Sequence, residues 1–180
     1  MYSTTYISMK IYCPILNEIK KKIILEFWEA LENALPKEQF GDEWEITKEY
    51  KEDVFSKSRG LHIAKKIWEK NYVIKLEAGK NGPKEFYIGL WRNRHKVTIR
   101  IDRGRLKKLL DEYIRGDGPD DSWEWYHYIH SDYKDWDGED TLIRLYKKNE
   151  AVKYFKERIQ RIAEIATPII DEAVRSAKIR

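Results

Sequence analysis

The chain reads as an α+β protein: an antiparallel sheet of four or five strands packed against an N-terminal helix and a long, Pro-kinked C-terminal helix. Three observations predict this. Apolar residues step by three and four from about Ile15 to Leu35 and again from Asn149 to Lys178. Between those ends, short runs alternate apolar with polar residues and are separated by turn residues. No repeat, low-complexity tract or linker breaks the 180 residues, so one domain over 1–180 is expected.

Residues 1–14 form an arm or a short strand, because Tyr6, Ser8, Lys10 and Tyr12 share a parity ahead of Pro14. The first helix follows, with Leu16, Ile19, Ile23, Phe27, Leu31 and Ala34 on one stripe, and Pro36 stops it. After the Gly41-Asp42 turn, Trp44, Ile46 and Lys48 mark an edge strand. A meander is then expected from GLHIAKKIW, NYVIKLEA, EFYIGLW and KVTIRI. Gly89, inside the third of these, signals a bulge or a close backbone approach. A helix from about Arg103 to Arg115 places Leu106, Leu109, Leu110 and Ile114 on one face and ends at DGPDD. The aromatic stretch SWEWYHYIHSDYKDW, a short TLIRLY element and the terminal helix over 149–178 complete the chain. Pro168 should kink that helix or split it, since proline lacks a backbone donor and clashes with the preceding turn.

Composition excludes several classes. An apolar fraction of 42%, with seven Trp and twelve Tyr, supplies enough area for a real core and excludes a disordered chain. A single cysteine, Cys13, excludes an internal disulfide and a cysteine-based zinc site. No apolar run approaches the ~18 residues of a membrane span. The start lacks a basic segment followed by an apolar one, so no signal peptide and a cytoplasmic location are expected. A net charge of +4 is too small to indicate nucleic acid by itself, so the distribution of charge decides.

That distribution is uneven. From Arg92 to Lys108 the chain carries eight Lys or Arg against one acid, Asp102. Arg92, Arg94 and Lys96 fall at one hairpin tip, Arg100 lies in the KVTIRI segment, and Arg103, Arg105, Lys107 and Lys108 surround the next helix start. Phosphate recognition requires such convergence, because each neutralised phosphate releases counterions and the guanidinium fork binds phosphate at two points. A solvated charged face is the competing reading in a chain that is 37% charged. Basic residues beside a helix N-terminus oppose its dipole, which favours a partner for them.

In the aromatic stretch, Trp123, Trp125 and Tyr126 offer rings for base stacking, against the commoner fate of burial on the sheet. His127 and His130, spaced for one helix face, would need Asp132 or Asp135 to complete a metal site; no third ligand stands at a fixed spacing, and no metal or cofactor is expected. A nuclease would need an Asp and a Glu-x-Lys on adjacent strands. Glu77 and Lys80 are one residue too far apart and lack a strand-borne Asp, so no catalytic residue is assigned.

The segments GLHIAKKIWEKNYVIKLEAG and FYIGLW, then SWEWYHYIHSDYKDW and a closing helix with EIATPIIDE, resemble the C-terminal accessory region of bacterial PD-(D/E)xK nuclease superfamily proteins. The matching positions are Phe86, Tyr87, Gly89, Trp123, Trp125, Tyr126, Tyr128, Tyr133 and Trp136, within roughly Gly60 to Val174. The nuclease core of those proteins lies upstream of this region and has no counterpart motif in the chain, so no active site is carried over. The resemblance implies a context of mobile elements, phage or DNA-defence systems. The sequence therefore predicts a non-enzymatic binding domain whose basic face meets nucleic acid, an acidic protein or another defence-system partner. Two alternatives stand beside it: a divergent metal-dependent nuclease using Glu77 and Lys80, and a structural homodimer joined through the C-terminal stripe.

Overall fold

The computed structural model describes residues 3–51, 53–95 and 99–178. Helix α1 covers Ser3–Ala34. The expected arm or strand before Pro14 is instead part of this helix. Pro14 cannot donate to the carbonyl of Lys10, yet one lost bond, roughly 3 kcal/mol, does not outweigh an otherwise continuous ladder. Five strands follow: β1 (Trp44–Lys48), β2 (Gly60–Lys65), β3 (Tyr72–Gly79), β4 (Gly82–Arg92) and β5 (Trp123–Tyr128). Helix α2 (Arg103–Tyr113) precedes β5, and α3 (Glu139–Lys147) and α4 (Asn149–Lys178) close the chain.

The sheet is antiparallel throughout, in the order β1-β2-β3-β4-β5. The fifth strand comes from the aromatic stretch. Residues 99–102 run without regular structure between β4 and α2, and Lys96, Val97 and Thr98 lie outside the described residues. WEWYHY forms a strand with a period of two, because large aromatics favour a pleated surface where successive rings take opposite faces. Gly89 permits the pairing: a Cβ there would sit 2.4 Å from the Trp125 carbonyl oxygen and 2.7 Å from the Tyr126 Cα.

Leu61, Ile63, Ile74, Leu76, Phe86, Ile88, Leu90 and Trp125 share one sheet face by register and are all buried. Helix α1 contributes Ile24, Phe27, Trp28 and Leu31 to the same core, and α4 contributes Phe155, Ile159, Ile162, Ala166 and Ile170. Trp136 joins the layers. It stacks on Phe86 at 3.9 Å and meets Phe27 edge-on at 5.1 Å, while its indole N–H donates to the Tyr133 carbonyl at 2.9 Å. Helix α4 is one element through Pro168 rather than two, although that residue leaves the Glu164 carbonyl without its usual donor. Its apolar stripe lies in the chain's own core, which removes the surface on which the homodimer alternative rested. The opposite sheet face carries His62, Lys75, Tyr87, Trp91, Tyr126 and Tyr128, all half-buried, with Glu77 beneath them.

Candidate functional site

Four of the predicted basic residues converge. Arg92, at the end of β4, Arg94 just beyond it, Arg100 in the irregular segment and Arg103 at the start of α2 line one cleft of about 640 Å³. Tyr72, Ile99, Ile101, Asp121 and Glu124 complete its walls.

Local rules explain how the walls are held. Tyr72 begins β3 opposite Arg92, and its hydroxyl donates to the Ile99 carbonyl at 2.7 Å, which ties the irregular segment to the sheet end. Burial pushes the Tyr72 phenol far above its ordinary range, and the nearby Glu124 charge adds to this, so it remains a proton donor. Asp102 then caps α2 by accepting from the Arg105 amide at 2.9 Å. The β4–β5 register shifts between Leu90 and Trp91, which pair with Trp125 and Trp123, so Glu124 is the extra residue of a bulge. The bulge turns the Glu124 carboxylate toward the arginines.

The electrostatics are partly neutralised. Arg103 approaches Glu124 at two points, Nε to Oε2 at 2.8 Å and Nη2 to Oε1 at 3.2 Å. Arg92 lies 3.4 Å from Glu124 Oε1 through Nε, while its Nη2 donates to the Asp121 carbonyl at 2.9 Å. That 3.4 Å approach is an ion pair and not a hydrogen bond, and the buried Arg92 Nε has no acceptor. Burial pushes the Glu124 carboxyl above its ordinary value, and Arg103 opposes this only in part. Arg94 pairs with Asp121 through Nη2 at 3.0 Å. Arg100 is exposed and, among the described residues, forms no ion pair. Four guanidinium groups thus face two carboxylates.

The remaining candidates disperse. Arg105 faces an adjacent depression with Arg100, Asp102 and Glu172, and lies 3.5 Å from Glu172. Lys107 pairs with Asp111 one helical turn on, and Lys108 is exposed on α2. Lys96 lies outside the described residues.

Two of the three aromatic candidates are buried. Trp125 is 0% exposed and donates through its indole N–H to Asp111 at 2.9 Å, so no base can reach its ring. Trp123 is 8% exposed and packs edge-on against Tyr87 at 4.9 Å, on the sheet face opposite the core. Tyr126 is half-buried beside it, away from the arginines.

The proposed nuclease residues have other roles. Both Glu77 oxygens are occupied internally, one by His62 Nε2 at 2.6 Å and Lys75 Nζ at 3.3 Å, the other by the Tyr87 hydroxyl at 2.9 Å. Lys80 stands in the β3–β4 turn. Asp132 pairs with Arg144 at 3.2 Å, and Asp135 accepts from the Asp137 amide at 3.0 Å, so neither serves His127 or His130. Sequence reasoning missed Tyr72, Asp121 and Glu124, the supports of the cleft. The bulge that aims Glu124 has no local signature, whereas Asp121 in DGPDD was visible as a loop acid.

In comparisons with known proteins, the chain matches no protein-family model, no curated protein and no solved structure.

Proposed function

We propose that this chain is a non-enzymatic binding domain that grips the phosphate backbone of a nucleic acid in the cleft between Arg92, Arg94, Arg100 and Arg103. The observation that carries the reading is the convergence itself, with Arg100 unpaired and Arg94 bound only to an exposed aspartate among the described residues. Guanidinium groups held at different angles around a concave wall match successive phosphates better than a solvated face does. The phage, mobile-element or DNA-defence context, with an anti-defence or regulatory role, rests on the resemblance to PD-(D/E)xK-associated regions.

The test is fluorescence anisotropy of labelled single- and double-stranded DNA, in EDTA, across a salt series. Binding should weaken linearly in log salt. Arg94→Ala with Arg100→Ala should lower the slope by about two, roughly one per lost phosphate contact. No binding at low salt, or binding that the double variant leaves unchanged, overturns the reading. In that case capture of an acidic protein through the same guanidinium groups becomes the reading to test.

A further inference from the structure

Strand β5, at one edge of the sheet, carries His127 near its C-terminal end, with His130 just beyond it. The loop leaving α2 crosses the same edge and delivers Asp117 to them. Asp117 Oδ2 lies 3.4 Å from His127 Nδ1 and 3.9 Å from His130 Nε2, and one ligand atom from each of the three falls within 4.8 Å of the others. A fourth donor stands beside them: the Arg115 carbonyl oxygen is 3.0 Å from His127 Nδ1. Among the described residues, this is the one group of three metal-ligating side chains brought together.

We propose that Asp117, His127 and His130 form a binding site for a divalent transition-metal ion, with zinc as the ion its donor set favours. Two imidazoles and a carboxylate suit zinc, and bonds of about 2.0–2.1 Å to a tetrahedral ion hold ligand atoms roughly 3.3–3.5 Å apart. The 3.4 Å between Asp117 and His127 already matches that spacing and the 3.9 Å between Asp117 and His130 exceeds it slightly, so a small rotation of the exposed His130 ring closes the site. The ion takes the place of the proton that His127 Nδ1 shares with the Arg115 carbonyl, which frees that carbonyl as a fourth ligand.

The scaffold is fixed in advance. The Asp117 amide donates to the Tyr126 carbonyl at 2.8 Å, and the Tyr128 amide donates to Asp117 Oδ2 at 2.8 Å. The Gly116 amide donates to Asp111 at 3.0 Å, the carboxylate that also holds Trp125. Gly118 bridges to Tyr126. The loop therefore lies along β5 before any ion arrives, and little ordering opposes binding. His130 is 61% exposed and Asp117 34%, so the site opens to solvent and an ion can enter it. It involves none of the four cleft arginines, and it stands or falls independently of the nucleic-acid reading.

The test is zinc competition against a chromophoric chelator, on tag-free, metal-stripped protein, with melting temperatures recorded in parallel. One zinc per chain is expected, together with a rise in melting temperature. His130→Ala and Asp117→Asn should each weaken binding by about tenfold or more and abolish the rise, while the metal-free melting temperature of the exposed His130→Ala variant stays near wild type. Absence of zinc uptake overturns the proposal. So does uptake that His130→Ala leaves unchanged, which would place the ion elsewhere.

Discussion

Arg103 reaches Glu124 through two of its nitrogens, and Glu124 is a carboxylate whose side chain is only 2% exposed. The pair therefore sits at the floor of the cleft with a buried acid beneath an accessible cation. Its two effects should separate on mutation. Glu124→Gln leaves Arg103 and the partly buried Arg92 without their counter-charge, and stability should fall. Because Arg103 is about half exposed, solvent screens the loss, and about 1–2 kcal/mol is expected, less than the 3–5 kcal/mol for breaking a fully buried pair. Binding should move the other way: the cleft gains net positive charge, so DNA affinity should rise and the salt slope steepen. Urea denaturation and anisotropy on one preparation measure both, and a parallel loss of stability and affinity would count against the cleft.

A second buried carboxylate fixes the far end of the sheet to the terminal helix. Asp171 of α4 is 6% exposed and accepts from the Trp68 indole at 2.7 Å and from Lys65 at 2.8 Å. Removing it strands the buried indole N–H and leaves the Lys65 ammonium only the exposed Glu43 carboxylate, at 3.3 Å. Asp171→Ala should destabilise by about 3–5 kcal/mol, and Asp171→Asn by less, since an amide oxygen still accepts from Trp68. Equilibrium denaturation decides: equal losses for the two variants would mean that the indole bond contributes nothing.

The parts of this architecture that the sequence announces are those governed by local periodicity. The stripe in α4 names Phe155, Ile159 and Ile162, and alternation in NYVIKLEA names Tyr72, Ile74 and Leu76; all six are buried. Gly89 announces a close approach, although the neighbour it admits is not KVTIRI but the aromatic strand. Pairing partners are where the reading fails, because both segments alternate and only the tertiary competition for the β4 edge selects one. The cleft was half legible. Runs of charge reveal Arg92, Arg94, Arg100 and Arg103, but which of the eight basic residues converge depends on where the irregular segment crosses the sheet end. Spacing alone also could not name the carboxylate beside His127 and His130: with these on a strand and the turn after it, the acid near them is Asp117, upstream, and not Asp132 or Asp135.

The buried Glu77 makes stability depend on acid pH. Burial alone would push its carboxyl up, but the hydrogen bond from His62 Nε2, the charge of Lys75 and the Tyr87 hydroxyl together hold it below the ordinary carboxylate value. A carboxyl depressed in the folded state stabilises the fold above its unfolded value and loses that contribution as pH falls through its folded value. The wild type should therefore lose stability progressively as pH drops below the ordinary carboxylate range. Glu77→Gln keeps the shape and removes the titration, so it should be less stable at neutral pH, by about 1–3 kcal/mol for a hydrogen-bonded buried charge. The gap between the two proteins should narrow steadily toward acid. Melting temperatures of both across that range give the comparison, and a gap as wide in acid as at neutrality would show that Glu77 is not held as a charged acceptor by His62, Lys75 and Tyr87.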